Sequence, residues 1–328
     1  MKRVGLSIAR RLASSRLMLF GFALLAAGTL ATHNRPEASA WAIVLPLALL
    51  AANLAAALGV RPALRRGGLG VFHVALLALL LLIGAGRLTH FDGRVEVAEG
   101  ALLDPAQIEV TGQGPWHGSG WQRLKFRQGP YEVDYAAGVK RSQTRSSVWP
   151  GDAQGGPPRV VGDDTPLVQN GYRFYTTHNK GFAPLLTWQP TVGAAVQGVL
   201  HLPGYPLFDW KQENRWAAPD GTSMRFWLRI ERPLAERAAW TLDPQNTPAV
   251  LVVEAGGVRR ELKPGDSITL PHATLRYDRL TGWMGYRIFY DPTLVPLFVV
   301  SLLGVLGLGW HLWRRSERVV RPLEGVAA

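Results

Sequence analysis

The sequence predicts a membrane protein with four transmembrane α-helices and an all-β extracytoplasmic domain, a sandwich or open barrel, placed between the third and fourth helices. Three observations carry that prediction. Four apolar runs are each long enough to approach or cross a bilayer core of about 30 Å, which takes roughly 20 helical residues. Charge is segregated: residues 1–91 contain no Asp and one Glu, Glu37, whereas residues 89–291 hold 22 Lys and Arg against 21 Asp and Glu. The periodicity of apolar residues changes from helical to alternating after the third run and reverts before the fourth. The mean hydropathy of +0.04 therefore averages an apolar part with a polar one.

Residues 1–16 form a basic N-terminus carrying Lys2, Arg3, Arg10, Arg11 and Arg16. The three N-terminal spans, within residues 17–88, are Leu17 to Ala31, Trp41 to Leu58 and Leu69 to Leu88. The first is the shortest, and its alternative is a cleaved signal peptide with Ala38-Ser39-Ala40 as the cleavage site. That site lies beyond the polar break Thr32 to Glu37, further from the apolar run than is usual, so a retained helix is expected. The fourth span occupies 292–313, with Leu294 to Leu312 as its apolar run, and residues 314–328 form a basic tail.

Orientation follows from the basic residues, because short cytoplasmic loops carry the excess of Lys and Arg. Five precede the first span. Arg61, Arg65 and Arg66 lie between the second and third, and Arg314, Arg315, Arg318 and Arg321 follow the fourth. The loop 32–40 has only Arg35. Both termini are thus expected in the cytoplasm and residues 89–291 outside, with Trp41, Trp310 and Trp313 at the interfaces. The net charge of +12 belongs to this anchoring pattern, so it does not indicate a nucleic-acid partner.

Within 89–291, alternation marks strands at Gln122 to Phe126, Tyr131 to Tyr135, Gly171 to Thr177, Met224 to Ile230, Ala249 to Glu254, Ser267 to Leu270 and Met284 to Tyr290. Turns are expected at Gly155 to Pro158, Asn179 to Gly181, Pro219 to Gly221, Gly256-Gly257 and Pro264 to Asp266. Pro233 to Ala239 is the one candidate amphipathic helix, and Ser142 to Asp164, poor in apolar residues, reads as a loose loop.

Familiar catalytic patterns do not occur. Cysteine is absent, which excludes disulfides, Cys-ligated metals and a Cys-x-x-Cys-His haem attachment on this chain. The eight histidines, His33, His73, His90, His117, His178, His201, His272 and His311, show no metal-ligand spacing. No P-loop, Gly-x-Ser-x-Gly elbow or dinucleotide fingerprint is present, and Gly67-Gly-Leu-Gly70 leads into the third span. Asp163-Asp164 reads as solvated loop charge. Trp116-His-Gly-Ser-Gly-Trp121 is either core packing or a surface for a flat aromatic ligand.

One polar side chain is out of place. His73 stands about four residues inside the third span, roughly 6 Å below its end, and an ionisable group at that depth is a functional candidate by default. Neutral imidazole is a haem-iron ligand, and Arg65 and Arg66 nearby are suited to propionates. The alternative is a histidine bonded within the helix bundle or reaching the interface. His311, closer to water, reads as an interface anchor.

Taken in order, three spans with a histidine in the third, then His90-Phe-Asp-Gly-Arg-Val-Glu-Val-Ala-Glu-Gly100, Asn170-Gly-Tyr-Arg-Phe-Tyr175, Thr281-Gly-Trp-Met-Gly-Tyr286 and a last span introduced by Asp291-Pro292 resemble the ResB family, also called CcsB, of system II cytochrome c biogenesis. Thr176 stands where that family usually has Gln. The resemblance implies a non-catalytic subunit of a haem-handling synthase in the bacterial inner membrane. His73 would be the candidate axial ligand of a transported haem b, a ResC- or CcsA-type polytopic protein the partner that carries the attachment chemistry, and apocytochrome c the client. A reading from a different class is a non-haem scaffold whose outer domain docks another envelope protein.

Overall fold

The computed structural model describes residues 2–33, 39–151, 156–218 and 220–320, with side chains from residue 7 to residue 316. It divides into two compact units: residues 1–92, 111–118 and 290–328 form one, and residues 93–110 and 119–289 the other.

The first unit contains helices α1 (Lys2–Leu12), α2 (Ser15–Thr32), α3 (Trp41–Val60), α4 (Gly67–Thr89) and α5 (Leu294–Val320). Four of these, α2 to α5, are long and apolar enough to cross a membrane. Their bounds agree with the apolar runs to within a few residues, except that α5 continues helically past Leu312. Helix α1 was not expected from the basic N-terminus. Carbonyls near its end do not remain unpaired: the Asn53 amide donates to Leu12 O and, at 3.0 Å, to Ser14 O, while Arg61 donates to Ala13 O at 3.0 Å. Asn53 is 6% exposed, a buried amide made tolerable by those bonds. Ala38 of the alternative cleavage site, together with Asn34 to Glu37, lies outside the described residues.

Lipid tails supply no hydrophobic drive between helices, so close approach over small residues takes its place. A Cβ on Gly28 would strike the Ala42 carbonyl oxygen, and one on Gly21 would lie 2.8 Å from Leu50 Cδ2. Between α4 and α5, a Cβ on Gly68 would strike the Gly307 carbonyl and sit 2.7 Å from the His311 backbone nitrogen.

The second unit is all-β, as expected. Its strands, some of which extend into the first unit, are β1 (Phe91–Ala98), β2 (Glu109–Gln113), β3 (Phe126–Ala136), β4 (Lys140–Pro150), β5 (Arg159–Val161), β6 (Leu167–Gln169), β7 (Tyr172–Pro190), β8 (Val196–Val199), β9 (Glu213–Ala217), β10 (Ser223–Ile230), β11 (Trp240–Leu242), β12 (Ala249–Ala255), β13 (Val258–Leu262), β14 (Ser267–Leu270) and β15 (Ala273–Tyr290). They form three sheets: β2-β1-β15-β7-β6 with β14 on β15 and β8 on β7; β13-β12-β10-β9; and β11-β3-β4-β5. The antiparallel pair β7 and β15, 19 and 18 residues long, is the spine.

Several expectations are corrected. Asn179 to Gly181 is not a turn but lies within β7. Opposite Met284 to Tyr286 the register shifts, so that Thr177 to Asn179 face Gly285 as a bulge. Thr177 Oγ1 donates to Gly285 O at 2.9 Å and accepts from Asn179 N at 3.1 Å, which holds the bulge closed. Residues 120–123 form a 3₁₀ turn, because Leu124 N–H bonds back to Trp121 O, and the strand begins only at Phe126. Pro233 to Ala239 is not helical, as expected for a segment too short to repay nucleation. The described residues of Ser142 to Asp164 are not a loose loop, since most of β4 and all of β5 lie among them; residues 152–155, with Gly155 of an expected turn, lie outside the described residues. Ser146, one of the polar residues that suggested a loop, is instead a buried partner. Gln128 Nε2 donates to Ser146 Oγ (2.9 Å), the Ser146 hydroxyl lies 2.7 Å from Tyr286 OH, and Tyr286 OH donates to Gln128 Oε1 (2.7 Å). With the serine donating, the three close a ring in which each side chain both gives and receives a proton.

Candidate functional site

Helix α4 positions the candidate ligand. His73 sits at its second turn, half-buried, with the Phe72 ring edge-on at 5.3 Å. Its Nδ1 lies 2.8 Å from the Leu69 carbonyl oxygen, four residues back. A carbonyl only accepts, so Nδ1 carries the proton and, in the neutral ring, Nε2 keeps its lone pair. A helix-carbonyl bond of this kind fixes the tautomer and orientation that a metal-ligating histidine requires.

The arginines are placed differently from one another. Arg65 ends a 3₁₀ turn, Pro62–Arg65, whose carbonyl packs where a Gly70 side chain would be. Arg66 caps the start of α4 without a side-chain bond and lines a cleft of about 600 Å³ with Ala63, Gly67, Gly68, Leu69, Trp310, His311, Arg314 and Arg315. His73 does not line that cleft. The structure therefore brings Arg66 together with His311, Arg314 and Arg315, and sets His73 apart. Sequence reasoning treated Arg314 and Arg315 only as orientation charges, because nothing local ties them to a residue almost 250 positions earlier. The signal that was available is the pair of glycine-bearing helix faces that bring α4 and α5 together.

A second concentration of titratable groups surrounds the bulge in the β unit. Arg94, Glu96, Glu109, His178, His201 and Arg287 line a cleft of about 660 Å³. His201 stacks on Trp283 with ring centres 5.5 Å apart and lies 3.8 Å from Glu96. The guanidinium of Arg141, and then burial, hold His178 below the ordinary histidine range. Asp163 is not loose: it pairs with Arg141 at 3.0 Å and accepts from Thr176 at 3.1 Å. Trp116 is largely exposed and meets Trp41 edge-on at 6.3 Å. Among the described residues no group of three His, Asp or Glu side chains is placed to hold a metal ion.

Lys180 is the unusual member of this region. It is 2% exposed, donates to His178 O at 3.2 Å and reaches over the Tyr135 ring at 5.5 Å. Burial, reinforced by Arg141, pushes its pKa down to about 8. The unfolded chain then binds more protons than the native one between that value and the free-lysine value, so stability rises with pH across that window. From pH 7.5 to 9.5 the gain is roughly 1–2 kcal/mol. Urea titration of the full chain in detergent, followed by tryptophan fluorescence at the two pH values, is expected to show the gain, and Lys180→Met to abolish it.

No family model matches the chain, and no curated protein matches it. Among solved structures, one described as "Cytochrome c Heme Lyase CcmF" is similar over 95% of this chain and 39% of its own length, at 13% identity and a TM-score of 0.29. The chain thus spans well under half of that neighbour, and a likeness of this degree carries no argument about function.

Proposed function

We propose that this chain is a haem-handling membrane subunit of a cytochrome c synthase. It takes haem b as substrate, binds its iron through His73 Nε2, and works with a ResC- or CcsA-type partner that attaches the haem to apocytochrome c. The observation that carries this reading is the Nδ1–H bond from His73 to the Leu69 carbonyl, which leaves Nε2 free in a half-buried, apolar setting. Haem would bring the iron; this chain would supply the His73 Nε2 donor, oriented by its own helix. Arg65 is the proposed propionate contact. Arg66, paired with it in sequence, lines the separate cleft. In this reading both termini are cytoplasmic and the β unit lies outside the inner membrane.

Two outcomes are expected. In the native host, deletion of the chain removes covalently bound haem from c-type cytochromes and leaves b-type haem unchanged; normal c-type cytochromes with loss of another envelope protein would favour the scaffold reading. Reporter fusions after Gly59 and Ala328 are active in the cytoplasm and those after Ala38 and Asp164 outside. A fusion at Ala328 active outside would contradict the layout, because it requires an odd number of crossings.

A further inference from the structure

We infer that the basic cleft at the start of α4 and the end of α5 is a binding site for the phosphate headgroup of an anionic phospholipid. The inference does not depend on the haem reading. Three guanidiniums, Arg66, Arg314 and Arg315, line the cleft together with His311, and among the described residues no acidic side chain does. Orientation of a membrane protein requires only that basic residues lie on one side; it does not require them to converge. Here the convergence is built into the backbone, because Gly68 lets α4 meet α5 at Gly307 and His311 with no side chain between them.

The chemistry of the lining selects the ligand. Like charges gathered in one cleft repel one another, and a bound anion relieves that repulsion. Guanidinium forks match phosphate oxygens in two-point geometry. Trp310 forms one wall, with the Arg314 guanidinium 5.8 Å from its ring centre, and tryptophan at a span's end marks the depth at which headgroups lie. At about 600 Å³ the cleft exceeds what a lone phosphate fills. On the same two helices, Val74 and Leu306 are more than half exposed, an apolar surface on which acyl chains can lie. Basic pockets between transmembrane helices suit anionic headgroups for these reasons.

The test uses the full chain, reconstituted in vesicles of phosphatidylcholine with a fifth phosphatidylglycerol, then extracted in mild detergent and examined by native mass spectrometry. Wild type is expected to retain phosphatidylglycerol over phosphatidylcholine. The triple variant Arg66→Ala, Arg314→Ala, Arg315→Ala is expected to retain at least about tenfold less, with Arg10→Ala, Arg11→Ala unchanged. All three cleft arginines are exposed, so truncating them leaves the helix packing in place. Equal retention by the triple variant would overturn the assignment. Displacement of the lipid by millimolar inorganic phosphate would show a simple phosphate site, and displacement by hemin a propionate site; either would also overturn it.

Discussion

Phe174→Ala is expected to destabilise the β unit by about 3–5 kcal/mol, the range for removing a buried aromatic ring from a packed core. Phe174 has no exposed surface. It stands edge-on to Phe126, with ring centres 5.3 Å apart, and to Tyr286 at 6.5 Å, while Phe126 and Tyr286 meet at 5.4 Å. The three rings join β3, β7 and β15, and so bind the third sheet to the spine of the first. Deleting the Phe174 ring leaves a cavity and also loosens the seat of Tyr286, whose hydroxyl belongs to the closed ring with Gln128 and Ser146. Tryptophan fluorescence under urea, on the full chain in detergent, reads the loss. Phe174→Leu, which refills most of the volume, should recover more than half of it. A shift below about 1 kcal/mol for Phe174→Ala would mean that this cluster is not the core of the unit.

His73→Ala is expected to lower covalently bound haem in c-type cytochromes roughly tenfold or more, with the chain's abundance near normal. Alanine is well accepted in an apolar helix, so insertion and folding should survive. The iron bond cannot be replaced, because Val71 to Ile83 holds no other nitrogen or sulfur donor in a side chain. Added imidazole should restore part of the function by entering the space left by the ring. Undiminished cytochromes would make His73 a helix-packing residue whose bond to Leu69 is its whole role.

The spans were legible because length and hydropathy alone determine them; the sequence also places His73 on the third of them, where its Nδ1 lies 2.8 Å from the Leu69 carbonyl oxygen. Strands β10, β12 and β14 lie within a residue of their expected bounds; β10 and β14 alternate as expected, whereas β12 is buried continuously from Val250 to Val253. The sequence misled where polar residues are buried in pairs. Ser146 and Gln128 look solvated when taken singly and become core only through Tyr286, more than a hundred residues away. Lys180 read as part of a turn because Asn and Gly flank it, yet the bulge that turns its side chain inward is set by the facing strand. The basic cleft was out of reach for the same reason: Arg66 and Arg315 acquire a shared role only when Gly68 and Gly307 allow their helices to touch.

The central claim is that haem iron is held by His73 of this chain. The most direct measurement is the haem-to-chain ratio, from the absorption spectrum, of the full chain purified with its polytopic partner from haem-replete membranes, wild type beside His73→Ala. The account predicts a spectrum with the bands of a nitrogen-ligated b-type haem in wild type, and loss of most of that haem in the variant at equal protein. The same haem content and the same spectrum in both would contradict it.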